Sequence, residues 1–106
     1  MNELEKKILL DFKRAVSGRL PVTRIILFGS RARGDADMDS DMDVLVVIDT
    51  DDMAGARRIA SECAWEASLG TGILLSPVVS SVQNWEHGPE RMSLLSKAVH
   101  QQGISV

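Results

Sequence analysis

Five aspartates at alternate positions, Asp35, Asp37, Asp39, Asp41 and Asp43, stand between a Gly-Ser-Arg-Ala-Arg-Gly segment (29–34) and the apolar run Val44-Leu45-Val46-Val47-Ile48. In an extended chain, residues two apart share a face at a spacing of about 6.6–6.8 Å. Asp41 and Asp43 are such a pair, at the entrance to the apolar run. Two carboxylates on one face repel unless a cation compensates them, and hard oxygen ligands suit Mg²⁺, with Mn²⁺ as a substitute. Asp35, Asp37 and Asp39 read as solvated loop residues. Asp43 abuts five apolar residues, which predicts partial burial. A calcium loop starting at Asp35 fails twice, because its sixth position is Ser40 instead of Gly and its twelfth is Val46 instead of Glu.

The other half of the segment suits an anion. Gly29 and Ser30 follow the apolar run Ile25-Ile26-Leu27-Phe28, where the backbone amides leave a strand ladder. Glycine lets the chain turn and approach an anion closely, and the serine hydroxyl adds a donor. Arg31 and Arg33 carry guanidinium forks that match phosphate oxygens. Alone, these four residues favour a solvated turn with a surface arginine pair. Beside a divalent-cation site they make the parts list of nucleotidyl transfer, in which metal ions neutralise a triphosphate while donors hold its β- and γ-phosphates. Positioning and electrostatics supply most of such a rate, so a small scaffold suffices.

Gly29-Ser30-Arg31-Ala32-Arg33-Gly34 followed by Ser40-Asp41-Met42-Asp43 resembles the signature of the minimal nucleotidyltransferases of the DNA polymerase β-like superfamily. The resemblance implies a nucleoside-triphosphate site, with ATP as the expected substrate. It implies that Gly29 and Ser30 contact phosphates, that Arg31 or Arg33 assists, and that Asp41 and Asp43 hold Mg²⁺ as catalytic carboxylates. It also implies a helical partner of the HEPN type, for which the nucleotidyltransferase acts as antitoxin, in some pairs by adenylylating that partner. One departure stands out. Active members of the superfamily usually carry a third carboxylate on the strand after the second helix, and Ile73–Ser80 contains none. Ser76 or a neighbouring apolar residue takes that place, and a neutral hydroxyl is a weaker ligand and a poor base. Glu62, Glu66, Glu86 and Glu90 are the acidic residues that could substitute. Three readings follow: transfer of a nucleoside monophosphate to a protein hydroxyl, a catalytically weak antitoxin that masks its partner, and a nucleotide-sensing module.

The elements that must position these groups are legible in outline. Leu4, Ile8, Phe12 and Val16, widened by Leu9 and Ala15, predict a helix over 2–17. Asn2 with Glu5 forms its capping box, and Gly18 and Pro21 stop it. The runs 25–28 and 44–48 predict strands buried on both faces, joined by a polar loop over 31–40. A helix follows over 52–68, with Met53, Ala56, Ile59, Ala60, Cys63 and Ala67 inward and acidic residues at its start. Residues 73–80 predict a third strand, at an edge because Pro77 lacks a ladder donor. A last helix is expected over 90–102. The order α-β-loop-β-α-β-α predicts an α/β (α+β) fold, a mixed sheet of about three strands backed by helices, in one domain spanning 1–106.

Composition sets the outer limits. The 106 residues carry 12 Lys+Arg against 15 Asp+Glu, a formal charge of −3. Removing the five alternate aspartates from −3 leaves +2, so one segment sets the sign. The acidity argues against stable DNA binding, which draws on Lys/Arg–phosphate contacts. No apolar run is long enough to span a bilayer, and the start lacks the pattern of a signal peptide. Cys63 is the only cysteine, so no internal disulfide is required and a cytoplasmic location is expected. Cys63 reads as core, His87 as a loop residue, His100 as exposed, and Arg57-Arg58 as a solvated face. Trp65 and Trp85 read as packed residues or as interface anchors, and with an edge strand they would permit homo-oligomers.

Overall fold

Helix α1 (Glu3–Ser17) begins where Asn2 caps it: the Asn2 side chain accepts from the Glu5 amide at 2.8 Å, and Glu5 reaches back to the Asn2 amide. Ile8, Leu9, Phe12 and Val16 are buried along its inner face, while Leu4, expected on the same stripe, is 41% exposed. In the computed structural model, which describes residues 2–29, 41–88, 97, 99–101 and 103–106, the remaining elements follow in chain order. These are β1 (Val22–Phe28), β2 (Met42–Ile48), α2 (Met53–Ser68), β3 (Leu75–Ser81), α3 (Val82–His87) and β4 (Ile104–Ser105). The expected loop over 31–40 lies outside the described residues. So does most of the expected helix over 90–102, of which Lys97, Val99, His100 and Gln101 are described and helical.

The strands form one mixed sheet in the order β3-β2-β1-β4. β1 and β2 are antiparallel, and β2 and β3 are parallel across the α2 crossover. The α/β expectation holds, with a fourth strand added. β4 pairs Ser105 with Ile26 and Ile104 with Leu27. β1 and β2 both extend beyond their apolar runs, so Asp43 lies within β2 and not before it.

Two cores follow from the alternation of side chains across the pleat. Ile25, Leu27, Met42, Val44, Val46 and Ile48 face α1 and α2. Ala56, Ala60, Cys63 and Ala64 line the inner face of α2, and such small side chains let the helix approach closely. Ile26, Leu45 and Val47 face the opposite way, under Trp85 and Val99. The two central strands are apolar throughout because both faces are covered. Burial raises the Cys63 thiol pKa, in keeping with a packing role. Trp85 is buried and stacks on the exposed His100 ring at 5.6 Å, whereas Trp65 is 63% exposed. His87 ends α3 instead of lying in a loop.

Candidate functional site

Strand β1 ends at Phe28, and the next residue, Gly29, takes φ +80°. That backbone conformation is costly for any residue with a Cβ. Space imposes a second restriction. A Cβ on Gly29 would lie 2.8 Å from Asp43 Oδ2, closer than real Cβ atoms come to a neighbour. The corner and the carboxylate touch because Phe28 and Asp43 are cross-strand partners. This is the juxtaposition that the sequence pattern leads one to expect. Ser30, Arg31 and Arg33 lie outside the described residues.

Asp43 shares its face of the sheet with Leu45 and Val47, the face turned away from α1 and α2. It is partly buried, as its place beside the apolar run predicts, and Asp41 is exposed one residue before the strand. Burial first, and the Asp41 charge second, hold the Asp43 carboxyl above the ordinary aspartate range. Both causes disfavour the ionised form. Among the described residues no Lys or Arg side chain relieves either carboxylate.

This donor set fits a hard divalent cation. It offers charged oxygens from two neighbouring residues, one of them partly desolvated and strained by its neighbour's charge, which bound Mg²⁺ would offset. Among the described residues no third His, Cys, Asp or Glu joins them. The register identifies what stands in that place: Ser76 on β3 is the partner of Asp43 on β2, and partners in a parallel pair share a face. The other acidic candidates sit elsewhere. Glu62 and Glu66 ride on α2, which packs against the opposite face, and Glu62 pairs with Arg19 at 3.0 Å and Arg58 at 3.4 Å. Glu86 lines a cleft with Arg24 and His100. Arg24 is four residues from Phe28 along β1, about 13 Å away. Glu90 lies outside the described residues.

Comparison with known proteins agrees with this geometry. A family profile described as a nucleotidyltransferase domain matches residues 6–87. A Methanocaldococcus jannaschii chain, provisionally described as a protein adenylyltransferase, is 37% identical over 75 residues, 69% of this chain and 76% of its own length. A second chain from the same organism with the same description is 43% identical over 49 residues, 44% of this chain and 49% of that one. Among solved structures, a toxin–antitoxin with AMP-PNP superposes with a TM-score of 0.62 at 22% identity, covering 98% of this chain and 72% of the other. A chain from Sulfolobus solfataricus, provisionally described as a nucleotidyltransferase, gives 0.50 at 16% identity, over 99% and 86% of the two chains. These structures share the fold, and no helix among the described residues is long and apolar enough to cross a membrane. On the profile match over most of its length and on its 37% identical relative, the chain belongs to the nucleotidyltransferase domain family.

Proposed function

We propose that the chain binds a Mg²⁺-complexed nucleoside triphosphate, ATP by preference, at the corner of Gly29 and Asp43 and transfers its nucleoside monophosphate to a protein hydroxyl. The observation that carries this reading is the contact between the positive-φ corner and the Asp43 carboxylate. A triphosphate held by backbone donors at Gly29 and Ser30 would lie against a carboxylate that no Lys or Arg among the described residues relieves. Its relatives' description as protein adenylyltransferases supports AMP as the group and protein as the acceptor class. The toxin–antitoxin neighbour supports an antitoxin setting, and the resemblance of the Gly-Ser and Asp-x-Asp motifs adds a helical partner of the HEPN type.

In this reading Gly29 and Ser30 donate hydrogen bonds to phosphate oxygens, and Arg31 or Arg33 holds the departing pyrophosphate charge. Asp41 and Asp43 hold Mg²⁺ and fix the α-phosphate relative to the acceptor. Bound Mg²⁺ supplies charge neutralisation and lowers the pKa of the attacking hydroxyl. Asp43, fixed within a strand, provides the rigid part of the site, and Asp41 the adaptable part.

Incubation with α-labelled ATP, Mg²⁺ and any helical protein found encoded beside this chain tests the reading. Label on that protein that disappears in Asp43→Ala is the expected result. ATP that produces no heat in calorimetry with Mg²⁺ present defeats it. Ser76 beside Asp43 favours a second reading, a chain that masks its partner by binding with little transfer. Tight complex formation without label, unchanged in Asp43→Ala, selects that alternative.

A further inference from the structure

Trp65, Leu69 and Leu74 are 63%, 65% and 53% exposed, and they surround one groove of about 240 Å³ floored by Ser68 and Ile73. Scattered exposed leucines are ordinary, but three large apolar side chains around one concavity mark a contact surface. The groove lies on the α2 side of the strand ends that carry the proposed site. The Leu74 carbonyl accepts from the Met42 amide at 2.9 Å, and Met42 lies between Asp41 and Asp43.

We propose that this groove docks the protein acceptor, by seating an apolar side chain flanked by Lys or Arg on a helix or loop of that partner. The proposal rests on the transfer reading for its purpose and on separate residues for its binding. Strand addition is disfavoured. Along β3 the outward-facing backbone belongs to Leu75, Pro77, Val79 and Ser81, because Leu74 faces β2. The Leu75 amide is already spent on Ser68 Oγ at 3.1 Å, and Pro77 has no amide to offer.

A second copy is disfavoured as well. Three aromatic or aliphatic side chains at these exposures offer roughly 400 Å², about half the 800 Å² per partner of a stable interface. Glu66 adjoins Trp65, and Asp41 adjoins the Leu74 end, so two-fold pairing would oppose like charges. A basic-flanked partner turns the exposed Glu66 charge into attraction, with the neighbouring Trp65 as the anchor.

The test uses the intact chain and two synthetic amphipathic helical peptides. Both carry Leu at positions i and i+4, one with Lys/Arg flanks and one with Glu flanks, titrated by ¹H–¹⁵N NMR and sedimentation. The expected result is shifts centred on Trp65, Leu69 and Leu74 with the basic peptide, at least about tenfold weaker binding of the acidic one, and weakening with salt. Trp65→Ala and Leu74→Ser, both at exposed positions, should each cost at least about fivefold, with Asp43→Asn binding normally. Shifts on another face, equal affinity for both peptides, no binding, or self-association abolished by Trp65→Ala would each overturn the proposal. Peptide docking without any heat from ATP and Mg²⁺ sinks the transfer reading alone. ATP heat without docking sinks the groove alone.

Discussion

Gly29→Ala separates the two restrictions at the corner. The first is conformational: alanine at φ +80° costs about 1–2 kcal/mol. For a chain of this length that is a fall in Tm of roughly 4–16 °C. The second is steric. The new methyl would sit 2.8 Å from Asp43 Oδ2, whereas ordinary contact begins at 3.4 Å. The carboxylate must therefore retreat by roughly 0.6 Å, beyond the ~0.5 Å tolerance of a catalytic constellation. Since a 1 Å misplacement costs about a hundredfold, we expect about a tenfold loss in Mg²⁺-ATP affinity or transfer rate.

Gly70 supplies the control. It has φ +77° and nothing within 4 Å of its would-be Cβ, so Gly70→Ala carries the conformational cost without the displacement. Differential scanning fluorimetry should show similar Tm losses for the two variants. Calorimetry with ATP and Mg²⁺ should show weakened binding only for Gly29→Ala. Equal affinity losses in both, or full affinity in Gly29→Ala, would refute the claim that the corner and Asp43 form one site.

Three further perturbations probe the same end of the sheet and the core beneath it. Asp43→Asn removes a charge that the fold disfavours. Because the folded state holds the Asp43 proton more tightly than the unfolded one, stability from this group is present at low pH and lost as pH rises through the folded pKa. The variant should therefore melt above the parent at pH 7 without metal, with the difference vanishing below the unfolded value of 3.8. A pH-independent difference would contradict this. Ser76→Asp places a third carboxylate one strand away from Asp43, about 4.8 Å across the ladder. The metal-free variant should lose stability, and its Tm should rise more than the parent's when Mg²⁺ is added. Phe12→Ala empties a fully buried position under the sheet and should cost about 3–5 kcal/mol in urea unfolding, with the ATP site unaffected in whatever fraction stays folded.

The central strands could be read from the chain because coverage on both faces forces continuous apolar runs, as in Val44–Ile48. Helix α1 was equally plain, since Asn2 and Glu5 cap it and Ile8, Phe12 and Val16 keep its period. Leu4 departed from that pattern in the first turn of the helix. The six residues of α3 hold a single i, i+3 apolar pair, Val82 and Trp85, and β4 has only two residues, too few in either case for a period to register. Trp85 could not be distinguished from Trp65 by type; the chain turn at Ser81 puts the former over the second face of the sheet. At the site, the residue types and the partial burial of Asp43 beside the apolar run were legible. What no spacing reveals is register. Pairing of Phe28 with Asp43 brings Gly29 against the carboxylate, and pairing of Asp43 with Ser76 decides which side chain stands third.

Departures from local preference gather at one end of this sheet. Gly29 has a left-handed backbone, Asp43 is a half-buried carboxylate with its pKa raised, and Asp41 adds a like charge beside it. Elsewhere the rules are kept: α1 is boxed at its start, α2 is capped by Asp52, and among the described residues no buried side-chain polar atom lacks a partner. A chain this short has little stability to spare, so a partly buried carboxylate with a like charge beside it is the place where a bound cation would stabilise it most. In the proposed reading, a divalent cation with a triphosphate would offset the repulsion between the two carboxylates. Mg²⁺ and ATP together should therefore raise Tm by more than the sum of their separate effects, and strict additivity in a two-ligand melting matrix would break the inference.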